Sequence, residues 1–203
     1  GFVDADGDGF LDIFLDMHQW TPTEFYFNRP DGLAIAGGRQ FEDLADLVLT
    51  GTATIPEGLK VPDGNYNPDT HGIGSVDWDN DGDKDIIEVT GAGWVFPLWE
   101  NDGTGVFVNR GGERGFVYPT NWSRSGAPPT GGREPLFFDM PPRDGLLDVL
   151  ITARDNHPAY RTPTAMFRQE TALDGSPRFV LDESTGVDLI NDVACQNAVL
   201  IEL

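Results

Sequence analysis

Acidic side chains recur in one rhythm at two places in the chain. They stand in "DADGDGFLD", from Asp4 to Asp12, and in "DWDNDGDKD", from Asp77 to Asp85. Acids occupy the first, third, fifth and ninth positions of each: Asp4, Asp6, Asp8, Asp12, and Asp77, Asp79, Asp81, Asp85. A glycine follows the fifth, Gly9 and Gly82. Carboxylates this close repel one another, so each segment either gathers around something positive or is a solvated acidic loop. Calcium takes about six to eight oxygen ligands at roughly 2.3–2.6 Å, and carboxylates at alternate positions can curl around one such ion. The glycine permits the sharp turn because it tolerates positive φ. The seventh position then contributes its backbone carbonyl and leaves its side chain free, Phe10 in one loop and Asp83 in the other. The ninth acid closes the cage from the start of the next strand. Magnesium fits less well, since it keeps its waters, and zinc wants His or Cys, which neither loop has.

The competing reading is a pair of Asp-Gly turns carrying solvated acids. Two loops with the same four acids and the same glycine, in matching contexts, weigh against it. A third, worn copy stands in "LFFDMPPRDGLLDVLITAR", with Asp139, Asp144-Gly145 and Asp148. It has one extra residue, no acid at the third position, and Pro141 and Pro142 inside the loop. Metal binding and a simple tight turn are equal alternatives there.

The elements that must position these loops read as strands. "GIGSV" precedes Asp77 and "IIEVTG" follows the loop, then "FPLWENDGTGVFVNRGG" supplies a third and a fourth short apolar run. "GFVDADGDGFLDIFLDM", "TEFYFNRPDG" and "RQFEDLADLVL" repeat that order, and "TAMFRQETALDG" with "PRFVLDESTG" repeats it again. "DWDNDGDKDIIE" also satisfies the EF-hand string, with Glu88 at the twelfth position, but an EF-hand needs a helix on each side; that reading is rejected. "FEDLADLVL" has helical spacing at Phe41, Leu44 and Val48 and is the one stretch that suggests a turn or two of helix.

The lead acids are spaced 73 residues apart (4 to 77) and then 62 (77 to 139), which divides the chain into units 1–73, with a long insertion, 74–135 and 136–203. Four short strands per unit, bounded by Gly, Asn, Asp and Pro, predict an all-β fold of β-propeller-type four-stranded blades, about three of them. The chain opens and closes at nearly the same phase of its repeat, as if cut from a longer one. A propeller protects its strand edges only when its circle is complete. The expectation is therefore a partial propeller: a fragment whose ring is finished by more of the same chain, an open arc, or units completed by neighbouring copies in an oligomer or filament.

Composition narrows the partners. Thirty-four acidic against thirteen basic residues give a formal charge of −21, which suits neither nucleic acid nor an anionic membrane surface. Hydrophobic residues at 39% and aromatics at 11% are enough for a packed core. No run of 18 apolar residues predicts a membrane span, and one cysteine, Cys195, permits no intrachain disulfide.

With these residues in view, "VDADGDGFLDIFL" and "VDWDNDGDKDII", each followed by a strand pair around an Asn and a Gly, resemble the FG-GAP/VCBS repeats of integrin α-subunit propellers and many secreted bacterial proteins. The resemblance covers essentially the whole chain, with two strong copies and one degenerate. It implies four-stranded blades and Ca2+ in the loop between the first two strands. It also implies extracellular or cell-surface work in adhesion or recognition; the expected partner is a protein or glycan ligand at the cell surface or, because three blades leave the ring open, further copies assembling into an oligomer or filament. Carried over, the ligands are Asp4, Asp6, Asp8, Asp12 and the Phe10 carbonyl, then Asp77, Asp79, Asp81, Asp85 and the Asp83 carbonyl. Asp139, Asp144 and Asp148 are the candidates for a third site. The long insertion in the first unit and the count of three blades depart from the family pattern.

Asn121 heads the single N-x-S/T sequon and is a candidate glycosylation site. His18, His71, His157 and Cys195 are scattered and read as structural. No nucleophile–base arrangement stands out, so the chain is read as non-enzymatic. Two alternatives remain: a carbohydrate-binding module using loop aromatics such as Trp94 and Trp122, and an accessory domain of a larger secreted enzyme. Trp99 reads as blade-to-blade packing.

Overall fold

A computed structural model describes residues 1–15, 24–30, 38–44, 49–50, 70–90, 96–117, 132–153 and 164–185. These residues are all-β. They form three sheets, and their only helical element is a 3-10 turn at Glu183–Thr185. The first sheet runs β1 (Phe2–Val3), β2 (Asp12–Leu15), β3 (Glu24–Pro30), β4 (Arg39–Asp43), each antiparallel to the next. The second contains β6 (Thr70–Val76), β7 (Asp85–Thr90), β8 (Leu98–Asn101) and β9 (Phe107–Asn109), again antiparallel. A short strand, β5 (Leu49–Thr50), lies parallel on the outer edge of β9. The third repeats the order with β10 (Gly132–Phe138), β11 (Asp148–Ala153), β12 (Ala165–Thr171) and β13 (Pro177–Leu181). In every sheet the acidic loop joins the first strand to the second.

The middle sheet is buried on both faces, which its strand register explains. Successive residues of a strand point to opposite sides. Ile86 pairs with Trp99, and both join a core with Phe14, Phe25 and Phe27 of the first sheet. Ile87 pairs with Leu98 one step along, and both join a core with Val149, Ile151 and Phe167 of the third. Aromatic rings cross each boundary: Phe25 lies 5.2 Å from Phe107, and Trp78 stacks 5.2 Å from Phe179. Trp99 is thus a packing residue between sheets, as its strand position suggests.

The first strands of the second and third sheets approach closely, and the sequence "HGIGSV" makes room for it. A Cβ on Gly72 would sit 1.9 Å from the Arg133 carbonyl oxygen, and one on Gly74 would sit 2.3 Å from the Phe137 ring. Only glycine admits that backbone.

One expectation changes. Phe41 to Asp43 are strand, not helix, because Phe41 pairs with Asn28 and Asp43 with Tyr26 across the sheet; residues 45–48 lie outside the described residues. The first strands of the second and third sheets start at Thr70 and Gly132. No helix among the described residues is long and apolar enough to cross a membrane.

Candidate metal centre

The last acid of each loop, ninth in the first two and tenth in the longer third, is a buried clasp. Asp12 accepts the Ala5 N–H at 2.9 Å and the Asn28 N–H at 2.7 Å. Asp85 accepts those of Trp78 at 3.1 Å and Asn101 at 2.9 Å. Asp148 accepts those of Met140 at 2.9 Å and Gln169 at 3.0 Å. One carboxylate thereby ties the second residue of its loop to the third strand of its sheet. In the second and third sheets the residue so tied also reaches the sheet before it. Asn101 Nδ2 donates to the Ala5 carbonyl at 2.8 Å, and Gln169 Nε2 donates to the Trp78 carbonyl at 2.7 Å. A line of hydrogen bonds thus runs through all three sheets and passes through each loop.

In the second loop, carboxylate oxygens of Asp77, Asp79 and Asp85 lie within 4.8 Å of one another. Asp77 Oδ1, Asp79 Oδ1 and Asp83 Oδ1 are buried without a hydrogen-bond donor. Buried anionic oxygens left this way are costly unless a cation meets them. The titration behaviour agrees. Burial, reinforced by the Asp81 charge, raises Asp79, and the same causes push Asp83 up to about 6. Burial pushes Asp85 up to about 8 despite its two backbone donors. The turn is made by Asn80 and Gly82, at φ 62° and 105°. The donor set is all carboxylate, which suits a hard dication such as calcium. Asp81 lies outside the converging trio, its Oδ1 accepting the Asp83 N–H at 3.2 Å. The Asp83 side chain is not free, as its position predicts, but turned into the loop with a buried oxygen.

The first loop gathers Asp4, Asp6 and Asp8 within the same 4.8 Å, and Asp4 Oδ1 is likewise buried without a donor. Gly9 turns it at φ 85° and donates its N–H to Asp4 Oδ2 at 3.0 Å. Asp12 is not one of this trio. Two guanidinium groups stand on the loop, Arg29 on Asp6 Oδ2 at 2.8 Å and Arg39 on Asp8 Oδ2 at 2.6 Å. The Arg39 contact, with the Phe10 N–H, holds Asp8 below the usual carboxylate range. The Phe10 ring is half exposed beneath the Arg39 guanidinium, 3.5 Å away.

The third loop keeps its clasp but brings no trio together. Asp139 Oδ2 accepts from Gly145 N and Asp144 Oδ1 from Leu146 N, as Asp4 and Asp8 do from Gly9 and Phe10 in the first loop, and Asp139 Oδ1 is buried without a donor. The added residue donates its own N–H, Arg143 to Met140 O at 2.9 Å. Among the described residues Asp139, Asp144 and Asp148 do not converge as the other two trios do.

Sequence reasoning passed over the third-strand amides and the two arginines. The amides carried a signal: Asn28 and Asn101 each stand 16 residues after their clasp acid. His71 is a partly buried member of β6. Asn121, Trp94, Trp122, His18, His157 and Cys195 lie outside the described residues. No family model and no curated protein matches the chain.

Proposed function

We propose that the chain is a non-enzymatic, calcium-binding segment of a β-propeller, working outside the cell in adhesion, recognition or assembly. The observation that carries the metal assignment is the second loop, where three carboxylates converge and three buried oxygens have no donor. Asp77, Asp79 and Asp85 would hold the ion, with Asp81, Asp83 and the Asp83 carbonyl completing its shell. Asp4, Asp6 and Asp8, with the Phe10 carbonyl, form the second site. The blade assignment is supported by three sheets of one strand order, stacked so that each packs one face on its predecessor. The extracellular setting follows from the calcium reading, because weak calcium modules of this kind are filled where calcium is abundant.

The ion's role is structural. It cancels repulsion among the loop acids and fixes the turn between the first two strands, next to the carbonyl that receives the third sheet. Metal analysis of protein dialysed to equilibrium against calcium, with the dialysis buffer as reference, tests the assignment. We expect bound calcium in the native chain and its loss from the second loop in Asp79→Asn. A native chain without calcium above the buffer level refutes it.

A further inference from the structure

The two loops share a sequence pattern but not an electrostatic setting. Arg29 and Arg39 reach the first loop from β3 and β4, and they are held there by more than the acids they meet. Arg39 donates to Asn28 Oδ1 at 2.8 Å and to the Asn28 carbonyl, while its guanidinium covers Phe10. Arg29 lies 4.8 Å over the Phe27 ring. Asn28 is itself fixed by the Asp12 clasp. These are pairs positioned by the sheet, unlike the isolated surface pairs that contribute little.

The same register in the second sheet carries no cation. Asn28 pairs with Phe41 as Asn101 pairs with Phe107. The residue after the amide is Arg29 in one sheet and Asp102 in the other. The residue two before the phenylalanine is Arg39 in one and Gly105 in the other. The nearby arginines, Arg110 and Arg114, are both spent on Glu100.

The geometry points to a division of labour: Arg29 and Arg39 are built-in counter-cations of the first loop, so that a divalent cation enters it only by displacing them. The second loop, which among the described residues has no arginine paired to its carboxylates, takes calcium at much lower concentration. This rests on the reading of the second loop as a metal centre.

Calorimetric titration of the full chain with calcium tests it. The native protein should show one site, with a second about tenfold weaker or more, equivalent to about 1.4 kcal/mol. Asp79→Asn should keep only the weak site. Adding Arg29→Gln and Arg39→Gln to that variant should tighten the remaining site about tenfold, as two network ion pairs are lost. Should the double replacement fail to fold, Arg29→Gln alone carries the test with a smaller shift in the same direction, since its side chain is the more exposed. Equal affinities in the native chain, or a weak site unmoved by the arginine replacements, overturns the inference and leaves the second loop's assignment standing. A native chain that binds no calcium removes both.

Discussion

Two aspartates of the second loop separate metal chemistry from architecture. Asp79 ties nothing to the third strand: its backbone partner is the Asp81 N–H two residues on, and its buried oxygen faces other carboxylates. Asp79→Asn should therefore abolish calcium binding in that loop while leaving the chelated protein as stable as the native one, or slightly more so. Asp85 is different. Asp85→Ala strands the Trp78 and Asn101 amides, and each buried donor left unpaired costs about 1–3 kcal/mol. Thermal melts in chelator should show Asp85→Ala well below native and Asp79→Asn level with it. The pH dependence of the chelated protein has a definite sign. A carboxyl whose folded value is raised contributes stability that is present below its unfolded value, about 4. That contribution is lost as pH rises through the folded value, about 8 for Asp85. The chelated chain should melt higher at pH 5 than at pH 9, and calcium should remove or reverse the trend, since protons and the cation compete for the same oxygens. The acidic pattern was legible in the sequence, but not which acids converge, since Asp12, Asp81 and the third loop's acids stand outside the trios. Nor were the acids' two jobs legible, because the ninth acid's amide partners come from the third strand, far along the chain.

At the scale of elements, the strand order in each sheet was readable because short apolar runs end at glycine, asparagine and aspartate turns. The helical spacing of "FEDLADLVL" misled, since cross-strand pairing of Phe41 with Asn28 outweighs a local periodicity in so short a segment. The parallel strand β5 left no signal in its two residues, for its partner β9 lies across the long insertion. Gly72 and Gly74 of β6 are where β10 lies against it, a neighbour that the run "HGIGSV" does not announce. Gly72→Ala should destabilise the chain by at least about 1–3 kcal/mol through overpacking against backbone that cannot rotate away. The same change at Gly9, where nothing lies within 4 Å, should act through its φ of 85° alone and cost less. Denaturant unfolding of the two variants compares them directly.

Across the whole molecule, the sheets are joined by packing and by single amide bonds that repeat from one boundary to the next. Gln169 accepts the Leu147 N–H, donates to the Trp78 carbonyl, and has its own N–H held by Asp148. Gln169→Leu keeps the volume but strands a buried carbonyl at the second loop, and a loss of about 1–3 kcal/mol is expected on unfolding. Because Trp78 sits between Asp77 and Asp79, that loss should be larger in the calcium-loaded protein than in the chelated one. The excess is the coupling between ion and sheet packing. Melting temperature with and without calcium tests the central assignment most directly. Calcium at about a hundred times its dissociation constant adds about 2.7 kcal/mol, or roughly 5–10 °C for a chain of this length. The account predicts that rise in the native protein and most of it missing in Asp79→Asn. Native protein that melts at one temperature in calcium and in chelator, once metal removal has been verified, contradicts it.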